Sequence, residues 1–207
     1  MSSIDFSTFI ENCQTGDLLL FSSNAIYSRL IEICSFSKFS HVAYIVKNPT
    51  WLHSDLSGVY IFESGAEPTD DVLSKHKVFG VQLTPIEQVY KSYKNAYCGY
   101  IYYVQNDFDR TEDYYSKLRK ILLKTDSKSY DFDVNDWIKA RFDVKIGKRK
   151  TNKFFCSALV GYLMEKVKQI HSDIDWTYLS PRRFSVNSSD ALQFINCKIY
   201  PEKYIRL

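Results

Sequence analysis

Five short runs of aliphatic, β-branched and aromatic residues come before the longest helix-like segment of this chain, and that order limits the folds open to it. The runs are TGDLLLF (15–21), SHVAYIVK (40–47), VYIFES (59–64), KVFGVQLT (77–84) and YCGYIYYVQ (97–105). Their lengths and residue types predict strands, with Gly16, Pro49 and the pair Ser57-Gly58 marking turns. The later segment KFFCSALVGYLMEKVKQI (153–170) carries Cys156, Val160, Leu163, Val167 and Ile170 at helical spacing. Shorter helices are expected over 4–14, over 24–36 on Ile26, Leu30 and Ile33, over 110–124 and over 134–142. Another is expected from Thr84, with Thr84 as N-cap, Pro85 at the first position and Glu87 three residues after the cap. A turn at LSPRRF (179–184), a short helix and a strand close the chain. Strands first and helices mainly behind them predict an α+β fold in a single domain, 1–207, with an antiparallel sheet of about five or six strands packed against helices.

Composition narrows the class further. The 207 residues are 45% hydrophobic and 16% aromatic, with 16 tyrosines, 14 phenylalanines and only 7 glycines. That is enough for a core built of large rings, and it excludes a disordered chain. The net charge of +3 is spread among 24 acidic residues, so no nucleic-acid partner is expected. No run approaches the roughly 18 apolar residues of a spanning helix. The start MSSIDFSTFIENC has no basic region leading into an apolar one. Cys13, Cys34, Cys98, Cys156 and Cys197 are odd in number, irregularly spaced and form no CxxC pair, which suits reduced thiols. An intracellular, cytoplasmic setting is the expectation.

His41 opens an otherwise apolar strand. A lone histidine there is ordinarily a satisfied core or edge residue. The strands over 41–47 and 58–63 are consecutive, so antiparallel pairing is the default. Pairing His41 with Glu63 also pairs Ala43 with Ile61 and Ile45 with Val59, all on one face. Directly opposite residues place their Cβ atoms about 4.5–5.5 Å apart. A carboxylate there would fix the imidazole tautomer and favour the imidazolium. The competing reading is an inert His/Glu pair at the strand ends.

Cys156 lies near the start of the long helix, after Thr151 and Asn152, either of which could cap it. A helix N-terminus favours a thiolate, and its backbone N–H groups can receive an oxyanion. Cys156 also belongs to the apolar stripe, and taken alone it reads as a small core residue. The other four cysteines read as structural.

Taken in order, TGDLLLF, SHVAYIV, IFESG, SYDF, FFCSALV and LSP resemble the landmarks of the circularly permuted branch of the NlpC/P60 superfamily. This papain-like branch includes bacterial YiiX-like proteins and a poxvirus group, and is more distantly similar to lecithin:retinol acyltransferase. The likeness runs from about Gly16 to Pro181. It implies a fold in which the histidine strand comes first and the cysteine helix last. It also implies a nucleophile at Cys156, a base at His41 and an orienting residue at Glu63, with Gly16-Asp17 a structural turn. Two departures stand out. Ser157 is followed by Ala158 where an acidic residue is usual, and the glycine-rich stretch after the acid is reduced to Gly65.

Two classes of function follow. One is a cysteine-dependent hydrolase or acyltransferase acting on a peptide amide or an acyl-lipid ester through a Cys-His-Glu triad. Peripheral membrane contact would accompany the lipid option. The other is a catalytically silent module of the same fold that binds a lipid, peptide or protein, such as a viral structural or host-interaction component in a virion. No cofactor is implied. His41, Glu63 and Cys156 fall short of the four ligands of a structural zinc. The segment KIGKRKT (145–151) lacks the phosphate-loop spacing and reads as a solvated loop. Asn187-Ser188-Ser189 reads as a chance glycosylation sequon, and His53, His76 and His171 are assigned no role.

Overall fold

The computed structural model describes residues 2–22, 38–97, 99–130 and 153–206. The helices expected over 24–36 and 134–142, Cys34, Cys98, Thr151, Asn152 and nearly all of the basic segment 145–153 fall outside these residues. The five apolar runs form five strands: β2 (Leu18–Ser22), β3 (His41–Lys47), β4 (Val59–Asp70), β5 (Lys77–Pro85) and β6 (Tyr100–Val104). Four shorter strands widen the sheet: β1 (Ser3–Asp5), β8 (Ser129–Tyr130), β9 (Lys153–Phe154) and β11 (Lys203–Arg206). Among the described residues the sheet therefore has nine strands, not five or six, in the order β1-β11-β6-β2-β3-β4-β5-β8-β9. The added strands are two to four residues long, too short to show a period. Pairing is antiparallel except for β1 with β11 and β8 with β9. A separate two-stranded ribbon pairs β7 (Asn106–Asp107) with β10 (Lys198–Ile199).

Helices cover both faces. On one face Leu18, Leu20, Val42, Tyr44, Val46, Phe62 and Leu83 pack with α3 (Glu112–Thr125) and α4 (Cys156–Lys166). On the other, Leu19, Phe21, Ala43, Ile45, Ile61 and Ile101 pack with Phe9 of α1 (Phe6–Asn12) and with Ile86 and Val89 of α2 (Ile86–Ser92). Central strands buried on both sides must be apolar at successive positions, which is why LLLF and VAYIV run without alternation. The α+β class holds.

Three local expectations are corrected. The β3–β4 register is shifted by two residues, with Ile45 opposite Ile61 and Lys47 opposite Val59. The hairpin is closed by Asn48 and Gly58, both at positive φ. The Asn48 amide donates to the Gly58 carbonyl at 2.7 Å, and the Gly58 amide donates to Asn48 Oδ1 at 2.8 Å. A two-residue slip preserves the face of every side chain. Thr84 is not a cap: it stays in β5 opposite Ile61, and α2 starts after Pro85 with no side-chain cap. The long helix ends at Lys166 rather than Ile170. Lys168 adopts φ +63°, its amide donates to Glu165, and the Gln169 amide donates to Met164. This is a Schellman stop with lysine in the place usually taken by glycine.

A polar knot anchors the entry to β2. Gly16 at φ +99° lies so close to Phe108 and Tyr114 that a Cβ would meet both. Asp17 beside it is fully buried and accepts from the Gln14 and Asn106 amides, the Tyr103 hydroxyl and Arg110. Burial pushes its pKa up against the pull of these donors.

Candidate functional site

His41 is the first residue of β3 and Glu63 lies on β4. Continuing the β3–β4 register puts Ala43 opposite Glu63, so His41 is its diagonal neighbour on the same face. The diagonal is short enough for long side chains, and His41 Nε2 lies 2.6 Å from Glu63 Oε2. The Phe21 ring lies beside the imidazole, with ring centroids 5.2 Å apart.

The ladder between β3 and β4 ends at Tyr44–Phe62, while β3 goes on pairing with β2 as far as Phe21–His41. The edge of β3 thus opens at its N-terminal end. Helix α4 packs mainly on the opposite face from His41, and its first residue, Cys156, meets the histidine at this opening. The His41 ring and the backbone amides of Val42 and Ser157 act together on the sulfur and favour its thiolate. With Nε2 engaged by Glu63, Nδ1 is the nitrogen left for Cys156. The residue before the helix is Phe155, which provides no side-chain cap, so the expected capping by Thr151 or Asn152 gives way to a later helix start. Without a capping side chain, the N–H groups of the first turn point to the end where Cys156 lies.

The electrostatics follow from these contacts. Burial opposes charge on His41, yet Cys156 and Glu63 together overcome it and push its pKa up to about 10. Burial likewise opposes a thiolate at Cys156, but His41 and the two amides win and lower its pKa. Each partner thus favours the charged form of the other. Burial drives the other two described cysteines the opposite way, Cys13 to about 12 and Cys197 to about 11.

All three residues singled out in the sequence converge here. His53, His76 and His171 are exposed. Two contributors were not anticipated. One is the Val42 amide, freed by the early end of the ladder. The other is Gln82, buried directly opposite Glu63 on β5, whose Nε2 lies 3.4 Å from Glu63 Oε1. Finding Gln82 from sequence would have required the β4–β5 register, which a shift between Gly65 and Thr69 obscures. Ser157 donates to the Leu179 carbonyl and ties α4 to the LSP segment. Ala158, in the place of the usual acid, is buried among apolar neighbours. Among the described residues no group of three or more His, Cys, Asp or Glu is arranged to hold a metal ion, and no helix is long and apolar enough to cross a membrane.

No protein-family model and no curated protein matches the chain. Among solved structures, the crystal structure of metalloprotein yiiX from Escherichia coli O157:H7 (DUF1105) aligns over 92% of this chain and 97% of that one, with a TM-score of 0.51 and 14% identity. The fold is YiiX-like; at that identity the likeness extends to the fold alone.

Proposed function

We propose that this chain is a cysteine-dependent hydrolase or acyltransferase acting on an amide or ester, as a member of the circularly permuted papain-like branch of NlpC/P60. The observation that carries the reading is a single imidazole engaged on one side by Glu63 at 2.6 Å and on the other by a thiol at a helix N-terminus. The chain order, histidine strand before cysteine helix, and the YiiX-like fold support the family reading.

The chemistry is acyl transfer through a thioester. The Cys156 thiolate attacks the carbonyl carbon, forming a C–S bond, and the oxyanion takes hydrogen bonds from the Cys156 amide at the start of α4. His41 gives its proton to the leaving nitrogen or oxygen as that bond to carbon breaks. Water or an acceptor alcohol then attacks the thioester, losing its proton to His41, and the C–S bond breaks to restore the ion pair. Glu63 holds the ring in place throughout.

One observation favours the silent binding module instead: Cys156 is only 4% exposed. Incubation with acyl-lipid and peptide substrates, followed by intact mass and peptide mapping, separates the two. The catalytic reading expects an acyl adduct on Cys156 that disappears in Cys156→Ala. Substrate that binds the wild type with neither adduct nor product identifies the binding module.

A further inference from the structure

Among the described residues Glu63 has two hydrogen-bond partners, and only His41 takes part in the proposed chemistry. The other is Gln82. The geometry points to Gln82 as a positioning residue that clamps Glu63, its amide holding Oε1 so that Oε2 stays on His41. This rests on the reading of Cys156, His41 and Glu63 given above and adds a fourth member to it.

Three observations carry the clamp. Glu63 and Gln82 are direct cross-strand partners on β4 and β5, so the contact is built by the backbone register rather than by a wandering side chain. Gln82 is 1% exposed, and its Oε1 has no hydrogen-bond partner among the described residues. Burying an amide with one end unsatisfied works against folding, so packing alone does not account for a glutamine here. The remaining end, Nε2, is the one directed at Glu63 Oε1, 3.4 Å away. Turning the amide over would set oxygen against oxygen, so Glu63 itself fixes the orientation.

A carboxylate held by one partner can swing about its last bond and offer either oxygen. Held at both oxygens, it presents a fixed acceptor to the imidazole, and His41 in turn holds a fixed orientation toward Cys156. Gln82 touches neither the thiol nor a reacting carbonyl in this scheme. Its influence passes through Glu63, and its loss should loosen the ion pair rather than remove a reactive group.

The test is the pH dependence of Cys156 labelling by iodoacetate in the full chain, comparing wild type with Gln82→Met. Methionine keeps the length and volume and removes the donor. Iodoacetate needs the thiolate and, being an anion, is helped by the imidazolium, so its rate reports both edges of the ion-pair window. Gln82→Met is expected to lower the rate near neutral pH by about 3- to 10-fold. It should also narrow the window at both edges, a change that a merely structural loss of packing would not produce. In a Glu63→Gln background the same substitution should have no further effect. Unchanged edges in Gln82→Met, or an equal shift with Glu63 already replaced, overturns the clamp and leaves the triad standing. An ordinary thiol titration in the wild type overturns both. If Gln82→Met does not fold, the wild-type Gln82 side-chain amide resonances, followed over the same pH range, decide the matter. Shifts that track the His41 titration support the clamp, and no response overturns it.

Discussion

Asp17 and Glu63 are both buried acids of the same sheet region, and their partners differ in kind. Asp17 Oδ1 accepts from the Asn106 amide at 2.9 Å and Arg110 at 3.2 Å, and Oδ2 from the Gln14 amide at 2.8 Å and the Tyr103 hydroxyl at 2.7 Å. Four donors saturate the carboxylate, and its charged neighbour is a guanidinium, a group that does not give up its proton in a protein. Among the described residues Glu63 has one donor at each oxygen, and one of these is an imidazole already coupled to a thiol. A saturated acid with a fixed cation ties strands together. An acid whose cation can lose its proton manages that proton. Burial and a perturbed neighbour are common to both, so the nature of the partner is what separates structure from chemistry.

Substitutions that treat the two acids alike should separate them. The largest effect is expected from His41→Ala, which removes the proposed base and should cut turnover about 100- to 10,000-fold on the substrate that proves active. Next comes the same acid-to-amide exchange at each site. Asp17→Asn turns an amide nitrogen toward groups that are themselves donors and leaves Arg110 without its counter-charge. It should cost about 3–5 kcal/mol in denaturant unfolding. Glu63→Gln should stay within about 1 kcal/mol of the wild type in the same experiment, because a glutamine can still bond a neutral imidazole. Its cost should appear in turnover instead, as a loss of about one to two decades from a charge-assisted bond worth about 1.5–3 kcal/mol. Equal stability losses at the two positions would erase the distinction. The smallest effect is expected at Thr84, whose buried hydroxyl has no partner among the described residues. Thr84→Val should be neutral or stabilising by up to about 1 kcal/mol in thermal or denaturant unfolding.

What could be read from the sequence followed from properties that survive small errors of placement. The strands β2 and β3 are legible because burial on both faces makes them apolar at successive positions, and the other long strands because aromatic and β-branched runs stand between turn residues. His41 and Glu63 were put on one face correctly although the register was two residues off, since a two-residue slip leaves the faces unchanged. Cys156 was placed at a helix start by the stripe that continues from it. The features that escaped depend on particular backbone arrangements. Gln82 needs the β4–β5 register across an irregularity. The Val42 amide needs the point at which the β3 ladder opens. The end of α4 is set by Lys168 in a left-handed conformation, with no glycine to announce it. The edge strands owe their pairing to the rest of the fold rather than to any local preference.

The most direct test is the pH–rate profile of iodoacetate labelling at Cys156, resolved by peptide mapping from the other cysteines and compared with His41→Ala. With the thiol lowered by His41 and the imidazole raised to about 10, the ion pair exists above the first value and below the second. Labelling should therefore begin below the ordinary thiol range of about 8.5, and fall as His41 loses its proton near pH 10. Cys13 and Cys197, pushed up to about 12 and about 11, should remain unlabelled near neutrality. In His41→Ala the early rise should vanish. A single rise at the ordinary thiol value, identical in the wild type and His41→Ala, would contradict the coupling of Cys156, His41 and Glu63 into one unit.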